Sequence, residues 1–278
     1  MDLSKADTHP AWCPGCGNYG ILKCIDAAIE TSGIDTRKLV LVSGIGQAAK
    51  LPHYPNMPVN VFNGLHGRAL PAAFGIKMAN HELTVVITSG DGDMYGEGGN
   101  HLLHALRRNV SIKVFVHNNQ VYGLTKGQAS PTSDVGFVTP VQPHGVTAPP
   151  MNPLALAVIE DAAFVARSFA GDPSHLTTMM LEALRQKDGF CLLDILQPCV
   201  TFNKVNTHKW YRQRVRPIDD SHDPYDRTAA LELALKWGQE IPIGVIYRSR
   251  RPCFESLQAV LQAGPLVSRY DQAVPARS

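Results

Sequence analysis

The sequence predicts an α/β fold, one mostly parallel sheet with helices on both faces. Three observations predict it. Leu39–Ser43, Leu83–Ser89, Ser111–His117 and Phe190–Leu196 are short apolar runs, Leu83–Ser89 rich in β-branched residues, the pattern of strands covered on both faces. Segments of helical length alternate with them, as in βαβ units. Glycine-rich or polar turns follow the strand ends, where open α/β sheets bind ligands. With 278 residues, 44% of them apolar, the chain can build a full core as one large domain or two small ones.

Taken in order, Cys13-Pro-Gly-Cys16-Gly17 runs straight into a helix through about Ala28. Leu39–Ser43 is the first strand and Val59–Phe62 a short second one. Gly67–Asn80 follows as a helix, with Pro71 near its start, where proline is tolerated. Leu83–Ser89 then leads through the Gly90–Gly99 loop to a helix over His101–Arg108, and Ser111–His117 ends on Asn118–Asn119. Residues 126–153 hold six prolines without a period, a loop long enough to be functional or flexible. Leu154–Phe169 and Leu176–Lys187 read as helices, and Phe190–Leu196 as a strand ending at Pro198–Cys199. Residues 203–216 carry six cationic residues, His208 included, and no acid; they form either an arm against a partner subunit or a dock for an acidic protein. A helix over Asp226–Trp237 and a strand over Ile243–Tyr247 read as an appended piece, dividing the chain into a main domain, 1–216, and a C-terminal segment, 217–278. There are no internal repeats.

The overall charge of +2 points to neither nucleic acid nor an anionic membrane. The N-terminus, MDLSKADTHPAW, has no apolar h-region and no basic leader, and no apolar run approaches the roughly 18 residues of a membrane span. Six cysteines without a secretory signal are expected to be reduced or metal-bound, in a cytoplasmic protein.

The chemistry concentrates between Gly90 and Thr125. Asp91 offers a hard anionic oxygen and Asn119, 28 residues on, a neutral amide oxygen. Oxygen-only ligands beside backbone carbonyls suit Mg²⁺ better than zinc. Asp91–Gly96 begins like an EF-hand loop, but Tyr95 and Leu102 stand where carboxylates are required. A dinucleotide fingerprint fails because Gly96 comes one place late. Tight turns with no ligand are the plain alternative. Cys13-x-x-Cys16 is a metal or redox motif: a thioredoxin-like site would follow a strand, zinc would want a second pair, and an iron–sulfur cluster could draw on distant cysteines.

Gly90-Asp-Gly92 followed by about thirty residues to Asn118–Asn119 resembles the thiamine diphosphate motif. That resemblance implies Mg²⁺ held by Asp91, Asn119 and the Val121 carbonyl, with Gly90, Gly92 and Asp93 along the diphosphate. A wider resemblance rests on Trp12–Asn18 (WCPGCGN), Ser43–Gly46 (SGIG), Leu65–Ala69 (LHGRA), the GDGD motif, Val121–Gly127 (VYGLTKG) and Pro198–Asn203 (PCVTFN), in that order. Over residues 9–216 they look like the β subunit of the 2-oxoacid:ferredoxin oxidoreductases, and GLTKGQASPTS at Gly123–Ser133 is similar to the 2-oxoglutarate type.

The resemblance implies a thiamine-diphosphate-binding fold and CoA-dependent oxidative decarboxylation, with 2-oxoglutarate favoured over pyruvate. Electrons would leave through a [4Fe–4S] cluster to ferredoxin, and an α subunit would supply the glutamate that activates the cofactor, so the chain alone would be inactive. It also implies that Ile45, Gly46, Gln47, His66, Gly67, Tyr122, Gly123, Leu124 and Thr125 line the cofactor. His66 and Arg68 would face it from a helix N-terminus, and Lys50 would meet a substrate carboxylate. The implied cluster ligands are Cys13, Cys16 and Cys199. Where the family carries its fourth cysteine this chain has Gln47, a poor ligand for iron, and Cys24, two helical turns beyond Cys16, is the expected replacement. The rival readings are a non-redox thiamine diphosphate decarboxylase subunit and a zinc-stabilised interaction protein.

Overall fold

The computed structural model describes residues 10–273, so the first nine residues, on which the expected lack of a leader rests, and the last five lie outside the described residues. Its frame is an eight-stranded sheet: β1 (Leu39–Ser43), β2 (Asn60–Asn63), β3 (Thr84–Gly90), β4 (Ile112–Asn118), β7 (Phe164–Phe169), β8 (Cys191–Leu196), β9 (Val215–Pro217) and β10 (Ile241–Arg248). The order is β2-β1-β3-β4-β8-β7-β10-β9, with every neighbouring pair parallel except β7 and β10. Two short strands, β5 (Val121–Tyr122) and β6 (Gln128–Ala129), make a separate hairpin inside the expected 126–153 loop region and just before it.

Alternation along each strand builds two cores. Val40, Val42, Val85, Ile87, Val114 and Leu192 point into one core, under α2 (Ala69–Ala79), α3 (Gly99–Arg108), α4 (Pro153–Ile159) and α7 (Arg227–Leu235). Leu39, Leu41, Val86, Phe115 and Leu193 point into the other, under α1 (Asn18–Ser32) and α5 (Pro173–Arg185). A five-residue helix α6 (His208–Arg212) and the terminal α8 (Val267–Ala273) complete the helices. Asn152 and Asp172 cap α4 and α5 from outside a Pro at the first position, two sequence signals for a helix start. Among the described residues no helix is long and apolar enough to cross a membrane.

Two expectations are corrected. Leu154–Phe169 is not one helix: α4 stops at Ile159, Asp161 turns through φ 59°, and Phe164–Phe169 becomes a fully buried strand between β8 and β10. The Tyr247 hydroxyl, 2.6 Å from Asp161 Oδ1, fixes that turn. The segment beyond residue 216 is not an appendage either. The boundary falls within β9, β10 belongs to the main sheet, and Ile246 and Tyr247 lie in the same core as Val114.

Candidate active site

The chain winds outward from β1 in both directions, to β2 on one side and β3 on the other, which makes the C-terminal ends of β1 and β3 a switch point with a crevice. The loops after β1, β2, β3 and β4 converge there. Asp93, 3% exposed, ties them together. Its Oδ1 accepts from Gly67 N at 2.7 Å and Ile45 N at 3.2 Å, and lies 2.8 Å from His66 Nδ1; its Oδ2 accepts from Ser89 Oγ at 2.6 Å. Gly67, at φ 71°, is required here, since a Cβ would stand 2.5 Å from the Glu97 backbone. With four donors on one carboxylate, Asp93 organises the crevice wall and has little left to offer a ligand.

Asp91 is placed differently. It is 1% exposed at the start of a π-helical turn, Gly92–Glu97, which replaces the expected open loop. Its Oδ2 accepts from Ser130 Oγ and from Thr132 Oγ1 at 2.9 Å, while among the described residues Oδ1 receives only the long 3.3 Å bond from Asn119 N. Burial pushes its pKa up to about 6, against these donors. Asn119 Oδ1 accepts from Val121 N at 3.0 Å across Gln120, whose φ is 59°, an Asx turn that aims the Val121 backbone. A buried carboxylate, an amide oxygen and a backbone carbonyl at adjoining strand ends form an oxygen donor set that fits Mg²⁺ and its phosphates.

Ile45, Gly46, Gln47, His66, Gly90, Asp91, Gly92, Asp93, Asn119, Val121, Tyr122, Gly123, Leu124 and Thr125 line this crevice together with Ala48. Gly67 stands behind the wall. His66 turns Nδ1 to Asp93, with Glu97 Oε2 3.5 Å away, and its side chain lines the pocket. Burial, then Glu97, raises the Tyr122 phenol well above its ordinary value. Arg68 does not share the crevice: its guanidinium donates to His101 Nε2 on α3 at 2.9 Å, so beginning a helix beside His66 does not aim it at a ligand. Lys50 lies outside the lining as well, half-buried on a 3₁₀ turn (Ala48–His53), with Nζ 3.4 Å from the Ala11 carbonyl.

Against this crevice lies a second pocket, walled by Cys13, Cys16 and Cys199 with Trp12, Asn18, Gln197 and Phe202. Gln47, Asn119 and Gly123 line both pockets. The Cys16 thiol is pushed up by burial first, with Cys199 and Cys13 adding to it. Gln197 Nε2 donates to Cys16 Sγ at 3.5 Å and Phe202 N to Cys199 Sγ at 3.4 Å, the kind of N–H contact that supports thiolates around a cluster. Among the described residues no three His, Cys, Asp or Glu side chains are gathered tightly enough for a single ion. The expectation for Cys24 is corrected. α1 is regular from Asn18, so Cys24 packs in the core against α5, its Sγ turned to the Pro173 carbonyl at 3.6 Å. Cys191 and Cys253 are buried elsewhere.

Sequence reasoning missed the residues that hold the anchors. Ser130 and Thr132 support Asp91 from about forty positions away, and Thr132 also reaches Asn118 Oδ1 at 2.8 Å. Asn118 Nδ2 donates to Asp194, which the Tyr95 hydroxyl contacts at 2.8 Å. The short Ser-Pro-Thr-Ser run is the one available signal, and only its fold-back reveals the role.

Residues 44–195 match the thiamine pyrophosphate enzyme, C-terminal TPP-binding domain family, and residues 199–263 match the family formed by the C-terminal part of the pyruvate ferredoxin oxidoreductase β subunit. The chain is 42% identical to the 2-oxoacid:ferredoxin oxidoreductase subunit beta of Saccharolobus solfataricus, over 96% of this chain and 86% of that one. It is 43% identical to the 2-oxoglutarate oxidoreductase subunit KorB of Mycobacterium tuberculosis, over 71% of this chain and 52% of that one. A solved 2-oxoglutarate:ferredoxin oxidoreductase from Magnetococcus marinus, with 2-oxoglutarate, coenzyme A and succinyl-CoA bound, superposes with a TM-score of 0.88 at 36% identity, over 99% of this chain and 91% of that one.

Proposed function

The chain belongs to the family of 2-oxoacid:ferredoxin oxidoreductase β subunits, and from that premise we propose that it holds thiamine diphosphate and Mg²⁺ in the β1/β3 crevice and, paired with an α subunit, oxidatively decarboxylates 2-oxoglutarate to succinyl-CoA and CO₂. Pyruvate is the second substrate in this reading, and electrons leave through a [4Fe–4S] cluster in the three-cysteine pocket to ferredoxin. One observation carries it: an oxygen-donor crevice and a thiol pocket share Gln47, Asn119 and Gly123 as a common wall. A non-redox decarboxylase or a zinc-stabilised scaffold has no use for that juxtaposition.

Thiamine diphosphate, when bound, supplies the electron sink that lets a 2-oxoacid lose CO₂. The protein's part is electrostatic and positional. Asp91, Asn119 and the Val121 carbonyl hold the metal, and the first must be ionised to do so. Asp93 fixes the loops that form the wall, and through His66 Nδ1 it presents Nε2 as a hydrogen-bonding group at the cofactor. Buried Val121 and half-buried Ile45 give the crevice apolar surface, while Leu124 is exposed. Beyond Phe202 the chain enters the basic arm, where Lys204, Lys209, Arg212 and Arg216 are exposed close in sequence to Cys199, placing positive charge where an acidic ferredoxin would approach.

Co-purification with the α subunit under exclusion of oxygen tests this. The complex should contain thiamine diphosphate, iron and acid-labile sulfide, and reduce ferredoxin only with CoA and 2-oxoglutarate present. CO₂ release without electron transfer, or zinc in place of iron, would reject the reading.

A further inference from the structure

The reading of the cysteine pocket as a cluster site is the ground for this inference, because that pocket provides three thiols and a fourth wall made by Gln47. Gln47 is held firmly. Its carbonyl accepts from the Trp12 indole N–H at 2.8 Å, and it starts the 3₁₀ turn Ala48–His53. Its side-chain Oε1 is buried with no hydrogen-bond partner among the described residues. A buried acceptor left unmet costs about 1–3 kcal/mol, so a position that keeps one is expected to have something to meet it. No other cysteine competes for that place, since Cys24 faces α5 and Cys191 and Cys253 are buried away from the pocket.

We propose that Gln47 Oε1 caps the fourth corner of the cluster, with Cys13, Cys16 and Cys199 holding the other three irons. An amide oxygen is a hard, neutral ligand and binds iron far more weakly than a thiolate. One iron is therefore differentiated from the rest. The N–H contacts to sulfur reinforce Cys16 and Cys199, and the hard amide oxygen makes the Gln47 corner the weak one. It is also the corner on the cofactor side, because Gln47 lines both pockets. Mild oxidation should then release that iron: [4Fe–4S]²⁺ gives [3Fe–4S]⁺, Fe²⁺ and one electron, the electron reducing added ferricyanide to ferrocyanide.

The experiment uses the anaerobically purified complex with its α subunit. Iron, acid-labile sulfide and the electron paramagnetic resonance spectrum are recorded before and after about one equivalent of ferricyanide per cluster. The wild type should lose roughly one iron in four and show the signal of an oxidised three-iron cluster. Gln47→Cys should keep all its iron and stay silent. Gln47→Ala should lose iron roughly tenfold faster than the wild type, with Gln47→Glu slower than either, the order of ligand strength. Equal rates in wild type and Gln47→Ala would show that solvent holds that corner, and full iron retention by the oxidised wild type would show that a strong ligand does; either overturns the proposal. A complex that retains thiamine diphosphate but carries no iron or sulfide would overturn the cluster reading itself.

Discussion

His66 Nδ1 stands 2.8 Å from Asp93 Oδ1, the same oxygen that receives the Gly67 and Ile45 amides. One buried carboxylate therefore sets both the imidazole's orientation and the spacing of two loops. Asp93→Ala should leave those donors facing each other without an acceptor, at a cost of about 3 kcal/mol, lowering the melting temperature of the apo chain by roughly 6–10 °C and abolishing cofactor retention. His66→Asn is the control. Its amide can donate to Asp93 as Nδ1 does but has nothing in place of Nε2, so stability and cofactor content should persist while turnover in the complex falls at least about tenfold. An unchanged rate in His66→Asn would remove the imidazole from the chemistry.

The metal anchor gives a second prediction, with a sign that differs between apo and loaded protein. Asp91→Ala and Asn119→Ala should abolish retention of thiamine diphosphate through gel filtration, read by thiochrome fluorescence. In the apo chain Asp91 has its pKa raised from 3.8 to about 6 by burial. A raised carboxyl favours folding below its unfolded value and loses that contribution as pH rises through the folded one, on the order of 3 kcal/mol across the window. Apo Asp91→Asn should thus melt above apo wild type at neutral pH, with the gap closing as pH falls to about 4. Parallel melting curves would show that Asp91 is not buried as an acid.

Much of this was legible because the informative signals are local. β1, β3, β4 and β8 are short apolar runs, and a glycine-carboxylate strand end followed 28 residues on by an asparagine one implies neighbouring strands and one crevice. What was not legible depends on direction and fold-back. Ala-Leu-Ala-Val before Asp161 and Phe-Val-Ala-Arg after it share a composition that helices accept, and only the buried slot between β8 and β10 makes the second a strand. Arg68 lies two residues from His66, yet its side chain pairs with His101. Cys24 lies on the helix that follows the cysteine motif but turns to α5, and Ser130 and Thr132 reach Asp91 only because the chain folds back.

Lys50 yields a prediction on substrate choice. Among the described residues its ammonium is held by one long contact, to the Ala11 carbonyl, so little is lost if it turns toward a ligand. 2-Oxoglutarate carries a distal carboxylate that pyruvate lacks, and a charge-assisted hydrogen bond is worth about 1.5–3 kcal/mol. Lys50→Ala should lower kcat/KM for 2-oxoglutarate roughly tenfold more than for pyruvate in the reconstituted complex. Equal losses for the two acids would exclude Lys50 from selection.

The last prediction concerns acid. His117, in the middle of the sheet with no exposure, has Nδ1 2.8 Å from Asn18 Oδ1, while its Nε2, close to the Gln197 amide, meets no partner in full hydrogen-bonding geometry among the described residues. Burial lowers its pKa from 6.5 to about 3, so the folded chain keeps it neutral and the unfolded chain protonates it first. A depressed pKa contributes stability above about 6.5 that drains away as pH falls toward 3, at about 1.4 kcal/mol per pH unit. Asn18 opens α1 two residues after Cys16 and lines the thiol pocket, so strain at His117 reaches that pocket through this hydrogen bond. His117→Asn retains a donor for Asn18 Oδ1 and cannot titrate. Between pH 7 and pH 5 the wild type should therefore lose roughly 4–8 °C more in melting temperature than the variant. If both fall in parallel, the acid sensitivity of this fold originates elsewhere and His117 is protonated only after unfolding.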